Sequence, residues 1–86
     1  MESAYEKQAV KALRTMRPKT AIAFRNRLKD IATDPFAAHA NVERIKGTRD
    51  AFRLRIGDWR AVYAVKRKEQ VMVIQTIQPR GKVYKR

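Results

Sequence analysis

The segment FRLRIGDWRAVY, Phe52 to Tyr63, constrains the fold more than any other part of the chain. Phe52, Leu54 and Ile56 alternate with Arg53 and Arg55. Successive side chains of a strand point to opposite faces, so the apolar trio faces a core and both guanidinium groups face away from it. Gly57 and Asp58 then supply a tight turn. A two-residue loop at that point pairs Ile56 with Trp59, Arg55 with Arg60, Leu54 with Ala61 and Phe52 with Tyr63, and directly opposed residues share a face. Arg60 thereby joins Arg53 and Arg55. A four-residue loop centred on the same dipeptide keeps this register, whereas a three-residue loop sends Arg60 to the core.

Three arginines on one sheet face repel one another in water, and an anion relieves that repulsion. Arg53 and Arg55 lie two strand positions apart, roughly 6 to 7 Å along the chain, a spacing comparable with that of successive phosphates in a single nucleic-acid strand. Basic side chains on the wet face of an amphipathic sheet are also ordinary. The hairpin alone leaves both readings open.

Charge decides more. The 86 residues hold 21 Lys and Arg against 8 Asp and Glu, for a formal net charge of +13. Such a chain seeks a polyanion. The excess is uneven, with 8 basic and 4 acidic side chains in residues 1–35 against 13 and 4 in residues 36–86. The contact surface is therefore expected on the second half. Its basic residues lie on strands rather than on a basic amphipathic helix, which speaks against a membrane surface. An apolar content of 44% is that of a globular chain despite the charge, and the length suits one domain. There is no cysteine and His39 is the one histidine, so neither a disulfide framework nor the usual zinc ligands are present, and no cofactor is implied. The opening MESAYEKQAVKALRTM is amphipathic and partly acidic, unlike a secretory signal, and a cytoplasmic protein is expected.

Tyr5, Ala9, Ala12, Leu13 and Met16 recur at helical spacing and predict a helix over 4–16. Ala21, Phe24, Leu28, Ile31 and Ala32 predict a second one from Pro18 to the Asp34-Pro35 stop. Residues 36–50 show no period and read as a connection, with Val42 and Ile45 as anchors to the core. Lys66 to Glu69 form a polar turn, and QVMVIQTI, Gln70 to Ile77, is apolar on both sides of its alternation, as in a strand covered on both faces. Trp59 is expected at the core or its rim, Phe52 and Tyr63 as an aromatic pair, Met16 and Met72 as core fillers, and His39 on the surface.

In this order, YEKQAVKALRTM, the second helix ending at Asp34-Pro35, the IKG of Ile45 to Gly47, FRLRIGDWRAVY, and PRGKVY from Pro79 to Tyr84 resemble the RelE/ParE superfamily of toxin-antitoxin toxins over almost the whole chain. The resemblance implies a small single-domain α+β fold, with two N-terminal helices packed on a twisted, mainly antiparallel sheet of about four strands. It implies one of two activities. RelE-like members cut messenger RNA in the ribosomal A site without a metal, and ParE-like members inhibit DNA gyrase. Both are silenced by a cognate antitoxin, here expected to be acidic and partly disordered. Arg53 and Arg55 stand where RelE-like members carry basic strand residues, Arg60 follows the aromatic of the turn, and Arg80 and Tyr84 match the C-terminal pair. Retention of that set favours the ribosome-dependent nuclease.

The residue types suit that chemistry. Attack by the RNA 2′-hydroxyl needs a proton acceptor, stabilisation of the pentavalent phosphate, and neutralisation of the departing 5′-oxygen. Arginine presents a rigid fork of donors matched to phosphate, so Arg60 is expected to clamp the scissile group and Arg80 to stabilise the leaving group. Arg53, Arg55, Lys82 and Lys85 are expected on neighbouring phosphates, and Tyr84 as base or as a stacking platform. The family often has a histidine where Pro79 stands here, which weakens acid–base work at that position. Its N-terminal strand has only Glu2, Ser3 and Ala4 before Tyr5, so a very short or incomplete strand is expected.

Overall fold

A computed structural model describes residues 1–83, with the backbone alone described for Lys82 and Val83. In chain order the elements are β1 (Glu2–Tyr5), α1 (Lys7–Thr15), α2 (Pro18–Thr33), β2 (Val42–Arg44), β3 (Ala51–Ile56), β4 (Trp59–Lys66), β5 (Val71–Pro79) and α3 (Arg80–Val83). The strands form one sheet in the order β1-β5-β4-β3-β2, with β1 parallel to β5 and every other neighbour antiparallel. The α+β class and the mainly antiparallel sheet agree with expectation; the strand count does not, since there are five strands where about four were expected.

Besides the short α3, the sequence obscured the two edge strands. β1 exists because Glu2 to Tyr5 pair in register with Val71 to Ile74. Tyr5, read above as the start of the first helix, is the last residue of β1, and Glu6 donates its backbone N–H to the Ile74 carbonyl at 3.0 Å before the helix begins. Tyr5 packs against the core from the end of the strand, and its apolar spacing from Ala9 fits a helix equally well, so the pattern could not tell the two apart. β2 falls within the stretch read as a connection. It has three residues, two of them exposed and charged, so no alternation marks it, and it forms by pairing with Arg53 and its neighbours on β3.

The helices cover one face of the sheet. α1 packs on β5 and α2 on β1 and β3, burying Ala9, Leu13, Phe24, Leu28 and Ile31 against Leu54, Tyr63, Met72, Ile74 and Ile77. Each large side chain so buried contributes about 1.5–3 kcal/mol of transfer free energy. Only Met16 and Arg17 separate the helices, and Pro18 opens α2 at a position whose N–H has no helical partner to lose. The run in β5 is explained by a bulge. Val62 pairs with Thr76 but Tyr63 with Ile74, leaving Gln75 as an extra residue. The insertion switches parity, so Met72 and Ile74 before it and Ile77 after it all point to the core. Val71 and Val73 on the other face are half-buried.

Phe52 and Tyr63 stack with centroids 5.4 Å apart, and Met16 and Met72 are buried, as expected. His39 lies in the connecting loop with its Nε2 2.8 Å from the Asp34 carbonyl. Among the described residues no helix is long and apolar enough to cross a membrane.

Candidate functional site

The β3–β4 hairpin adopts the register that the two-residue turn demands. Ile56 opposes Trp59, Arg55 opposes Arg60, Leu54 opposes Ala61, and Phe52 opposes Tyr63. Gly57 takes φ +56°, the left-handed value that a turn of this length needs at its first central position and that a side chain would strain. The turn thus brings Arg53, Arg55 and Arg60 to the sheet face opposite the helices. They line one open cavity of about 290 Å³ together with Asn41, Val42 and Glu43.

The three guanidinium groups are held differently. Arg60 is the deepest, only 7% exposed, and its Nη1 donates to the carbonyls of Gly57 at 2.8 Å and Trp59 at 2.9 Å. The turn therefore fixes the arginine it delivers. Arg53 is half-buried, with Nη1 3.6 Å from a Glu43 carboxylate oxygen. Arg55 is exposed, and its Nη2 donates to Asn41 Oδ1 at 3.0 Å. Glu43 and Asn41 were not singled out from the sequence. Their place follows from β2, whose Glu43 opposes Arg53. A carboxylate in the segment before the R-L-R strand was the one available signal.

Arg80 opens α3, where its backbone N–H donates to the Asp58 carbonyl at 2.7 Å, tying the start of the C-terminal piece to the hairpin turn. Its side chain is exposed and does not line the cavity. Lys82 lies in α3. Tyr84 and Lys85 lie outside the described residues. Among the described residues no group of His, Cys, Asp or Glu is arranged to hold a metal ion.

A cavity bearing three guanidinium groups and one carboxylate offers forked donors for phosphate oxygens at adjacent positions. It sits on a small basic α+β domain whose five-strand sheet is covered on its other face by α1 and α2. The family model described as the ParE toxin of type II toxin-antitoxin systems matches residues 4–84, and the chain belongs to this RelE/ParE superfamily of toxins. Toxin RelE1 of Methanocaldococcus jannaschii is 28% identical over 80 residues, covering 92% of this chain and 89% of the relative. The RelE–RelB complex from Pyrococcus horikoshii superposes with a TM-score of 0.80 at 30% identity, covering 94% of this chain and 96% of that one. The isolated RelE toxin of E. coli shares the fold, with a TM-score of 0.78 at 18% identity over 91% of this chain and 82% of its own.

Proposed function

We propose that this toxin is a ribosome-dependent endoribonuclease that cuts messenger RNA in the A site by metal-independent attack of the 2′-hydroxyl. The convergence of Arg53, Arg55 and Arg60 on one cavity, with Arg60 anchored by the carbonyls of its own turn, is the observation that carries this reading. A buried arginine whose fork is already oriented gives up little side-chain entropy when it meets a phosphate, so its donors favour the charge that grows on the pentavalent phosphorus.

In this mechanism the 2′-oxygen bonds to phosphorus as its proton passes to a base, and the bond to the 5′-oxygen breaks as that oxygen gains a proton. The products are a 2′,3′-cyclic phosphate and a 5′-hydroxyl. Arg60 clamps the scissile phosphate, Arg80 stabilises the leaving oxygen from its place beside the turn, and Arg53 and Arg55 hold flanking phosphates. Tyr84 serves as base or stacks on the exposed nucleobase. Lys82 and Lys85 add backbone contacts. The partner that silences the toxin is a cognate antitoxin, since relatives of this fold are solved as RelE–RelB complexes and a +13 chain suits an acidic segment that folds on binding. The toxin acts in the cytoplasm, where ribosomes and antitoxin are found.

Primer extension on a defined message in a reconstituted translation system tests the proposal. Wild type is expected to cut only when ribosomes are present. Arg80→Ala and Arg60→Lys are each expected to lose at least roughly a hundredfold in rate, the range over which single transition-state donors act. Absence of cuts in every lane would overturn it. The ParE description of the matching family model favours DNA gyrase as the second reading, and inhibition of supercoiling by wild type would then be the expected result. Salt-sensitive RNA binding without either activity would identify a non-catalytic nucleic-acid-binding toxin relative.

A further inference from the structure

We infer that Asn41 is a positioning residue that aims Arg55 into the cavity as a full positive charge, an inference that rests on the RNA-binding reading of the site. Asn41 holds Arg55 at both ends. Its backbone carbonyl accepts the Arg55 N–H at 2.9 Å, and its Oδ1 accepts from Arg55 Nη2 at 3.0 Å. It does so from φ +61°, a left-handed conformation that asparagine tolerates better than most side chains. The loop that presents it is itself secured. Arg27 of α2 donates to the carbonyl of Ala40, and Val42 donates its N–H to the His39 carbonyl at 3.3 Å.

The need for such a tether follows from the register. Arg55 and Arg60 are directly opposed across β3 and β4, so their like charges push the exposed partner, Arg55, toward solvent. A carboxylate would hold it but cancel its charge, as Glu43 partly does for Arg53. An amide oxygen holds the guanidinium and leaves the charge free for phosphate. Asn41 thus separates orientation from neutralisation.

The test is affinity for a fluorescein-labelled single-stranded RNA oligonucleotide at fixed salt, with wild type, Asn41→Gly, Asn41→Asp, Arg55→Ala and the Asn41→Gly/Arg55→Ala double variant. Glycine keeps the left-handed backbone and the carbonyl that accepts the Arg55 N–H and removes the side-chain tether, and thermal melts confirm that each variant folds. Asn41→Gly is expected to weaken binding several-fold and Arg55→Ala about tenfold. The double variant is expected to bind no more weakly than Arg55→Ala, because Asn41 acts through that side chain alone. Asn41→Asp is expected to bind more weakly than Asn41→Gly. Wild-type affinity in Asn41→Gly beside a weakened Arg55→Ala would overturn the inference while leaving the site reading intact. Additive losses in the double variant would also overturn it. Unchanged affinity in Arg55→Ala would remove the site reading itself.

Discussion

At the residue scale, two tyrosines report how the interior treats a polar group. Tyr63 is fully buried, and its hydroxyl finds no hydrogen-bond partner among the described residues. Burial pushes its pKa from 10.0 up to about 12, opposed by the positive charge of Arg27. Tyr5 shifts in the same direction for the same reason, with Arg25 opposing. An acid whose folded pKa lies above its unfolded value stabilises the fold fully below the unfolded value and loses that contribution as pH rises through the folded one. Stability should therefore fall between about pH 10 and pH 12. Tyr63→Phe deletes a buried hydroxyl without breaking a hydrogen bond, so its stability at pH 7 should match or exceed that of wild type, and its alkaline decline should be shallower. Urea titrations at pH 7 and pH 11 measure both; a clear loss of stability at pH 7 would show that the hydroxyl has a structural partner.

At the element scale, one side chain completes the sheet where a strand stops. β1 ends opposite Ile74, but β5 continues to Pro79. Gln8 of α1 fills the gap, donating Nε2 to the Ile77 carbonyl at 3.0 Å and accepting the Ile77 N–H on Oε1 at 2.9 Å. Gln8→Ala should cost about 1–3 kcal/mol by leaving two backbone groups unpaired beside the core, read as a lowered urea midpoint with an unchanged slope. This docking was illegible in the sequence, since a glutamine on the polar side of a helix carries no mark of a partner 69 residues away. The same holds for β1 and β2, which are defined by what they pair with. The hairpin was legible because its alternation, its Gly-Asp turn and its register are all local. So was the arginine cluster, which followed from that register, but not the depth of Arg60 or its turn carbonyls. Asn41 and Glu43 reach the cavity through the pairing of β2 with β3, and a three-residue strand has no alternation to announce it, so the Glu43 carboxylate ahead of the R-L-R strand was the one local sign.

At the scale of the whole molecule, charge and architecture are separable. The +13 excess reaches both sides of the sheet. Exposed Lys7, Lys11 and Arg14 lie on α1, packed against the face opposite the arginine cavity. A diffuse polycation would attract RNA through all of them, whereas a defined site draws on few. Salt distinguishes the two, because each phosphate neutralised on a single strand contributes about 0.7 to the slope of log affinity against log salt. Arg53→Ala and Arg55→Ala should each reduce that slope by about 0.7, while Lys11→Ala and Arg14→Ala should leave it unchanged. Anisotropy titrations with a short single-stranded RNA over a salt series check this. Equal reductions from the helix and strand variants would mean that net charge, rather than the cavity, binds RNA. A reduction confined to the strands would place the phosphates on the face that the hairpin register presents.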